Sequence, residues 1–439
     1  MTAGQAGGKI AMILREGWGW KAAFATIAAS MVIGCNGGGD TPKETASDGT
    51  PSTPTDAGTT PTASNRPEPT ADAVKIGDTI KIGLIGSQTG DQKAWGDDEI
   101  AGARMAVDEV NAAGGVDGKK VEIEVGDSAS KPEQAKSAAA KLLSDGVVGI
   151  VGEVSSGNTI QIAKAAFPKA VPVVAVGATK TTLVDEGSNV VRVCYTDDFQ
   201  GPVMATFAYN ELGLRKVGLM TDNKQPYSVG LSQSFSDTFK KLGGEIVGEE
   251  KYETSQNDFQ GIVTEIKAKN PDGLFCSGYF PEVGPMAHQI RDAGMKDVKL
   301  MGGDGWDSPQ LLVSGGDAII GSFMCNHYNN KEDRPIVKAF LDKYKSGHGG
   351  KEPGTTMAAL GYDAMKLMLD AVKRAGKDSD SKAIIAALND TENFEGVSGN
   401  ITLKGKNGNP DKRALVVEVR PAAEGFQVFR KAYEPSDLK

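Results

Sequence analysis

Histidine is scarce in this chain: only His288, His327 and His348 occur among 439 residues, and their spacing fits no metal-ligand pattern. Each is expected to have a surface or helix-capping role. The sequence also lacks a G-x-S-x-G motif and a G-x-x-x-x-G-K-[ST] loop, which argues against a hydrolase of the first type and against a P-loop. These absences predict a protein that is not an enzyme and that needs no cofactor and no metal.

Cysteine is almost as rare, with Cys35, Cys194, Cys276 and Cys325 in the whole chain. The last three lie in or beside apolar, strand-like runs. They are therefore expected to be buried free thiols, although an oxidising compartment would permit a disulfide.

Long apolar runs are also missing, because no stretch after residue 34 has eighteen uninterrupted apolar residues. The run at residues 22–33 has the length of a signal-peptide core, and positive charges precede it. Gly34-Cys35 at its end resembles the lipobox of bacterial lipoproteins, which implies cleavage of residues 1–34 and lipid attachment to Cys35. The alternative is a signal peptide with an incidental cysteine, and translation could begin at Met1 or Met12.

Positive charge is in deficit, with a formal net charge of −9. Residues 1–34 carry three positive charges and one negative charge, so their removal lowers the formal charge to −11. This acidity argues against nucleic acid and against an anionic membrane surface as partners. Residues 35–76 are rich in Thr, Pro, Ser and Gly with little apolar surface to bury, which predicts a disordered tether.

Strand and helix patterns alternate from residue 77 onward. Short apolar runs such as residues 80–85 predict strands, and between them apolar residues recur at helical spacing. One helix is expected to begin at Pro132 and to end before Gly146. Strict alternation predicts parallel strands with helical crossovers, hence an α/β, doubly wound sheet.

The alternation restarts after Asp198 and predicts a second sheet of the same kind. Three helical segments between residues 335 and 388 follow, and antiparallel strands predicted at residues 401–403, 414–419 and 426–430 end the chain. Because these late helices must pack somewhere and the first sheet needs cover, the chain is expected to cross between two lobes more than once. The predicted lobes are residues 77–198 plus 329–396, and residues 199–328 plus 397–439.

Three polar segments each follow a predicted strand, at the edge where open α/β sheets bind ligands. Residues 152–159 offer hydroxyl groups before a helix, residues 177–179 are small, and Asp304 lies between glycines. Taken singly, the first is explained by a helix N-cap, the second by a plain turn and the third by a solvated loop. Together they offer donors for an anion and an acid for a cation, which an α-amino-acid zwitterion requires.

Further short motifs run through nearly all of the predicted folded part. They are Trp95-Gly96-Asp97, Gly102-Ala103-Arg104, Asn111-Ala112-Ala113-Gly114-Gly115-Val116, the segments at 152–159 and 177–179, Asp198-Phe199-Gln200-Gly201, Gly278-Tyr279-Phe280-Pro281-Glu282 and Gly361-Tyr362-Asp363. In this order they resemble the type I periplasmic binding proteins, specifically the branched-chain amino-acid-binding components of ABC importers.

The resemblance implies how a ligand would be bound. Ser156 and Thr179 would hold its carboxylate through hydroxyl and backbone donors. The Gly177 carbonyl, the Tyr279 hydroxyl and the Asp304 carboxylate would take its ammonium group.

The remaining implied site residues surround the ligand. Trp95 and Val154 would flank its side chain, and Tyr227 would approach from the second lobe. Ser155 and Ala178 belong to the same two polar segments and complete the set.

The chain departs from the family pattern in several places. Asp304 is shorter than the glutamate often found there, and Tyr227 lacks the usual following glycine. Ser130 and Ser155 stand where some members have a disulfide. Residues 357–359 are Met-Ala-Ala where some relatives place an aromatic side chain, so a wider side-chain pocket is expected.

The sequence thus predicts a lipid-anchored receptor of an ABC importer, on the periplasmic or extracellular face of a bacterial membrane. It would bind a branched-chain or other apolar amino acid between two closing lobes, as a monomer, and would dock a permease. The alternatives are urea, short amides or another small polar solute, and a sensory receptor of the same fold. A hydrolase using Ser156 or Asp304 would need a nearby base, which three scattered histidines disfavour. An Asp304→Ala variant is expected to lose amino-acid binding with thermal unfolding nearly unchanged.

Overall fold

The structure, a computed structural model, describes residues 66–438. The predicted signal peptide, Cys35 and most of the predicted tether lie outside the described residues. In the described part, no helix is both long enough and apolar enough to cross a membrane.

Residues 66–76, which the composition places in the tether, pack against the folded part. The Arg66 side chain donates to the Val190 carbonyl at 2.6 Å. The Ile76 side chain is buried, and its amide donates to the Ser379 carbonyl at 3.2 Å. Composition does not indicate these contacts, because main-chain groups common to all sequences make part of them.

The first sheet consists of the parallel strands β1 (Ile80–Gly86), β2 (Val121–Asp127), β3 (Gly149–Val151), β4 (Val173–Ala175) and β5 (Val190–Arg192). Their order is β2-β1-β3-β4-β5, with α1 (Lys93–Ala112), α2 (Pro132–Ser144) and α3 (Ser156–Ala166) between successive strands. Strands β3, β4 and β5 are entirely buried, as expected for a parallel sheet covered on both faces. The predicted alternation is confirmed, and β5 is a strand that the sequence analysis did not assign.

The second sheet begins with the parallel strands β6 (Lys216–Asp222), β7 (Glu245–Tyr252), β8 (Gly273–Cys276), β9 (Lys299–Gly302) and β10 (Phe323–Asn326). The accompanying helices are α4 (Asp197–Asn210), α5 (Pro226–Lys241), α6 (Gln260–Ala268), α7 (Phe280–Asp292) and α8 (Gln310–Gly315). Strand β10 was not assigned from the sequence. The prediction of a second doubly wound sheet is confirmed.

The last part of the chain completes both sheets. It contains α9 (Pro335–Gly347), α10 (Met357–Ala375), α11 (Ser381–Asn389), β11 (Phe394–Gly396), β12 (Gly399–Ile401), β13 (Ala414–Val419) and β14 (Gln427–Tyr433). Strands β13 and β14 join β10 in antiparallel fashion, which gives the order β14-β13-β10-β9-β8-β6-β7. The predicted strand at 401–403 lies mostly outside β12, which pairs with β11 in a separate hairpin.

The chain passes between the two sheets three times within residues 66–438. The connections run from β5 to α4, from β10 to α9, and from β12 to β13. Helix α10 packs against α1 and against β3 and β4 of the first sheet, as expected for late helices that return to it. The predicted multiple crossover is thereby confirmed.

Two glycines let α1 and α10 approach closely. A Cβ atom at Gly102 would lie 1.9 Å from a backbone carbonyl oxygen of α10, and one at Gly361 would lie 2.3 Å from a carbonyl oxygen of α1. Both distances are far below van der Waals contact, so only glycine fits at these positions. This packing brings Trp95 of α1 and Met357 of α10 to the same cavity.

The cysteines of the described part, Cys194, Cys276 and Cys325, are buried and unpaired. Burial raises the pKa of the Cys276 thiol to about 12. The prediction of buried free thiols is confirmed.

Candidate functional site

Loops at the carboxyl ends of strands from both sheets meet around one small cavity. Its lining residues are Trp95, Val154, Ser156, Gly177, Tyr227, Tyr279, Asp304, Gly305 and Met357. The cavity is small in this arrangement of the two sheets, with about 200 Å³ of empty space that includes space open to solvent.

Seven of the ten predicted site residues line this cavity. The others, Ser155, Ala178 and Thr179, are buried in the same two segments but do not line it. The Ala178 carbonyl accepts from a guanidinium, and the Thr179 hydroxyl accepts from the Gln200 amide at 3.3 Å. Their polar groups are therefore used to support the wall.

The wall from the first sheet offers hydrogen-bond donors. Ser156 is the first residue of α3, where free backbone N–H groups favour an anion. Its hydroxyl accepts from the Lys180 amide at 3.2 Å, which leaves the hydroxyl hydrogen for another acceptor. The buried carboxylate of Glu153 holds this segment, and burial raises the pKa of that carboxyl group. Its donors are Ser155 N (2.9 Å), Ser87 Oγ (2.7 Å), Ser128 Oγ (2.6 Å) and Asn158 Nδ2 (3.1 Å).

The neighbouring segment, residues 177–179, rests on the fully buried Arg192. The guanidinium donates to the carbonyls of Ala178 at 2.7 Å and Lys180 at 2.8 Å. Burial lowers the pKa of Arg192 below its ordinary value. Because these bonds occupy the carbonyls on the far side of the turn, the turn is held in one position.

The wall from the second sheet carries the acid. Asp304 follows β9 and is 3% exposed. Its Oδ1 accepts from Gln200 Nε2 at 2.9 Å and from the Tyr227 hydroxyl at 3.0 Å, while Oδ2 lies 3.0 Å from His327 Nε2. The carboxylate is thus fixed in direction and lines the cavity, facing the donors of the first wall.

The surface or capping role expected for His327 is wrong. Its side chain is fully buried against Asp304. The expectation holds for the other two histidines: His288 is exposed, and His348 ends α9 with its Nδ1 2.7 Å from the Tyr344 carbonyl. Sequence spacing could not indicate the His327 contact, since its partner comes from a different loop.

Aromatic rings form the apolar part of the cavity. Tyr227 and Tyr279 stack with ring centroids 5.0 Å apart, and Trp95 contacts Tyr279 edge-on at 5.2 Å. Burial raises the pKa of the Tyr279 phenol well above 10, although the nearby Ser155 hydroxyl lowers it. The Tyr279 hydroxyl makes no hydrogen bond of good geometry with any described residue, so it is available to a ligand.

Two hydrogen-bonded contacts join the sheets beside the cavity. The Trp95 indole N–H donates to the Asp307 carbonyl at 2.7 Å. The Asp307 carboxylate accepts from the Thr356 amide at 2.7 Å and from its hydroxyl at 2.6 Å. Asp307 follows β9, whereas Trp95 and Thr356 belong to helices packed on the first sheet, so these bonds exist only with the lobes together.

Sequence reasoning missed four residues around the ligand cavity: Gln200, Gly305, His327 and Met357. Gln200 lies in the motif Asp198-Phe199-Gln200-Gly201, which is the sequence signal that could have indicated it. Met357 was grouped with small residues expected to widen the pocket. The structure instead shows its side chain in the cavity, with Sδ only 3.0 Å from where a Cβ at Gly177 would be.

A second buried acid lies behind the cavity. Asp197 Oδ1 accepts from Gln200 Nε2 at 2.9 Å, and Oδ2 has no partner among the described residues. Burial, together with the negative charge of Asp304, raises the pKa of Asp197 from its ordinary 3.8 to about 7.

Asp197→Asn is expected to flatten the dependence of stability on pH. Since the pKa is higher in the folded state, the folded chain binds more protons between pH 4 and 7, and stability falls as pH rises through this window. The difference is worth up to about 4 kcal/mol at ~1.4 kcal/mol per pKa unit. Urea denaturation at pH 5 and pH 8 measures the part of this difference that falls between the two pH values, about 3 kcal/mol. Asp198→Asn, at the exposed neighbouring position, should keep the wild-type slope; equal slopes for both variants would contradict the assignment.

Two α/β lobes with a small polar and aromatic cavity between them define a class of solute-binding receptors. The chain belongs to the periplasmic binding protein family, whose sequence model, described as periplasmic binding protein, matches residues 79–425. This family is a class of solute receptors and not of enzymes, and the fold is that of its type I members.

Relatives cover most of the chain. The Leu/Ile/Val-binding protein BraC3 of Rhizobium johnstonii is 32% identical over 324 residues, which are 74% of this chain and 87% of that protein. A crystal structure of the leucine-binding protein LivK from Thermotoga maritima is 35% identical with a TM-score of 0.77, covering 82% of this chain and 100% of that chain. The Streptococcus pneumoniae substrate-binding protein LivJ, in complex with isoleucine, is 31% identical with a TM-score of 0.74, covering 81% and 100%.

A more distant structure carries a different ligand. A solute-binding protein of an ABC transporter from R. palustris, in complex with 4-hydroxybenzoate, is 25% identical with a TM-score of 0.72, and the match covers 81% of this chain and 96% of that chain.

Proposed function

We propose that this chain is the substrate receptor of an ABC importer and binds an α-amino acid as a zwitterion. The supporting observation is that Ser156, at a helix N-terminus, and Asp304, a buried acid, line the same cavity from opposite sheets. The ligand carboxylate binds Ser156 and the N-terminus of α3. The ammonium group binds Asp304, the Tyr279 hydroxyl and the Gly177 carbonyl.

The ligand is a small or branched apolar amino acid. The space beyond the polar groups is lined by Trp95, Val154 and Met357, which offer no partner for a charged side chain. The names of the relatives, which include leucine, isoleucine and valine, agree with this chemistry.

The receptor works by closing its two lobes on the ligand, and the closed form docks a permease. The proposed lobes are residues 77–198 plus 329–396 and residues 199–328 plus 397–439. The contacts of Asp307 with Trp95 and Thr356 support this proposal, because they cross between the sheets beside the cavity. Lipid at Cys35 and the tether hold a monomeric receptor outside the cytoplasmic membrane; this part rests on the sequence.

Two other ligand classes are distinguished by experiment. Urea and short amides carry no ammonium group for Asp304. Aromatic carboxylates suit the stacked rings of Tyr227 and Tyr279, and 4-hydroxybenzoate is bound by the R. palustris protein. Neither urea and short amides nor aromatic carboxylates carry a positive charge, so neither class would neutralise the buried Asp304 carboxylate.

A binding screen tests the proposal. Purified protein lacking residues 1–35 is heated with each of the twenty amino acids, urea, acetamide or 4-hydroxybenzoate, and isothermal titration calorimetry follows each hit. We expect at least one of leucine, isoleucine, valine, threonine and alanine to bind, because only a zwitterion engages both walls. Binding of urea, acetamide or 4-hydroxybenzoate without any amino acid would replace the proposed ligand. Transport assays in cells distinguish a receptor that serves a permease from one that serves a sensory partner.

A further inference from the structure

His327 links the acid of the cavity to the connections between the sheets. It directly follows β10, where the chain leaves the second sheet, and its ring stacks on Tyr195 at a centroid distance of 4.2 Å. Tyr195 lies in the other connection, between β5 and α4. The ring's Nε2 is 3.0 Å from Asp304 Oδ2. The His327 ring therefore contacts both Asp304 and Tyr195, and it connects Asp304 to two of the segments that pass between the sheets.

The effect of this contact depends on how many hydrogens the two ring nitrogens of His327 carry. His327 Nδ1 is buried and has no hydrogen-bond partner among the described residues. In the neutral form with hydrogen on Nε2, the ring donates to Asp304 and leaves the full negative charge for the ligand. In the cationic form both nitrogens carry hydrogen, the ring forms an ion pair with Asp304, and a positive charge faces the ammonium site.

The other ionisable groups in this cluster are acids, phenols and the thiols of Cys194 and Cys325, and the cations Arg192 and Lys412 interact electrostatically with Cys194. Asp304 faces Nε2 and Asp307 interacts with the ring electrostatically, both from the loop after β9. Tyr195 covers one face, and Asp197 is connected to Asp304 through Gln200. No described lysine or arginine lies within ion-pair distance of Asp304, so His327 and the ligand ammonium are the two cations that can pair with it.

We propose that His327 is a positioning residue that directs the Asp304 carboxylate toward the ligand ammonium, and that a proton on His327 and a bound amino acid exclude each other. This inference rests on the proposed function and adds its regulation. Amino-acid binding therefore expels a proton from the site, and affinity falls as the medium becomes acidic.

The experiment measures affinity and proton release together. Calorimetric titrations with L-leucine, L-isoleucine, L-valine, L-threonine and L-alanine at pH 8.0 select the tightest binder. That amino acid is then titrated at pH 8.0, 6.5 and 5.5, in two buffers with different ionisation enthalpies at each pH. We expect wild-type affinity to fall at least tenfold between pH 8.0 and 5.5, with release of a proton on binding in acid.

Matched variants identify the side chain that releases the proton. His327→Gln keeps an amide N–H for Asp304 but cannot become cationic, so its affinity should change less than threefold over the same range, with little proton release from this position. Asp197→Asn removes the other acid that can lose a proton when ligand arrives, and it should keep most of the wild-type pH dependence. A pH dependence that survives in His327→Gln, or that disappears in Asp197→Asn, overturns the inference.

A measurement on the wild-type protein covers the case in which His327→Gln does not fold. With three histidines in the sequence, the ring resonances can be followed separately by NMR with and without the selected amino acid. One buried histidine should titrate in the free protein and stay neutral in the complex over the same pH range. Unchanged titration of all three on binding overturns the inference. If none of the five amino acids binds at pH 8.0, the proposed function itself fails.

Discussion

Asp304→Asn is expected to weaken amino-acid binding by at least 100-fold while the fold is retained. The substitution removes the negative charge that faces the ligand ammonium and keeps the shape of the side chain. Hydrogen bonds to charged groups contribute ~1.5–3 kcal/mol, and an ammonium left without its counter-charge in a buried site costs more. At ~1.4 kcal/mol for each factor of ten, a loss of about 3 kcal/mol gives the stated change.

Asparagine is the appropriate substitution because of the contacts that Asp304 makes. Its side-chain oxygen can still accept from Gln200 and Tyr227, and its amide can donate to His327 if the ring presents an unprotonated Nε2. Alanine would leave the buried Tyr227 hydroxyl hydrogen and His327 Nε2 without this partner, at ~1–3 kcal/mol each. The contacts therefore replace the expectation, drawn from the sequence, that Asp304→Ala leaves thermal unfolding nearly unchanged.

The measurement is calorimetric titration of the amino acid selected by the screen, with circular dichroism to verify the fold. Asp222→Asn is the matched control, because Asp222 is a buried acid at the end of β6 in the same sheet but does not line the cavity. Its affinity should stay within threefold of wild type. Tight binding by Asp304→Asn would remove Asp304 from the site.

Arg192→Met is expected to cost about 3–5 kcal/mol of stability, because buried carbonyls left without a donor cost ~1–3 kcal/mol each. The guanidinium is fully buried and donates to the carbonyls of Ala178, Lys180 and Thr181. Methionine fills part of the volume but satisfies none of these oxygens. It also removes the cation that lowers the pKa of Asp197.

The same change should weaken ligand binding, because residues 177–179 would lose the support that fixes the turn. Urea denaturation measures the first effect and calorimetry the second. Arg420→Met serves as the control, since Arg420 is partly exposed, its partner Glu424 is exposed, and its partner Glu418 keeps a second ion pair with Arg430. Surface pairs contribute ~0–1 kcal/mol. A loss for Arg192→Met no larger than for this control would show that the turn does not depend on the guanidinium.

Local sequence patterns were sufficient for the framework of the two sheets. Helices such as α2 have proline at the start and apolar residues at helical spacing, so their positions follow from short stretches of chain. Strands β5 and β10 have only three and four residues, and their apolar runs, beside Cys194 and around Cys325, do not indicate which neighbouring strands they pair with. The prediction of a strand at 401–403 is mostly wrong. The strand there, β12, ends at Ile401 and pairs with β11 in a hairpin that is separate from the large sheet.

The candidate site could be predicted only where a motif marked it. Ser156, Gly177 and Asp304 each follow a strand, and the carboxyl ends of strands in such sheets converge on one place. The contacts of Asp304 with Gln200 and His327 join residues 104 and 23 positions apart, so no local pattern contains them. The bond from Trp95 to Asp307 spans 212 positions. These partners depend on how the two sheets face each other, which spacing does not encode.

The first turn of α10 is completed by a residue of the other lobe, since the Thr356 amide donates to the Asp307 carboxylate. Separation of the lobes would break this bond and expose that amide to water. The proposed closure is thus a local event in secondary structure as well as a rotation of rigid bodies. The amide hydrogen of Thr356 is accordingly a natural reporter of the proposed motion: its rate of exchange with solvent would measure how often the lobes separate, without any added label.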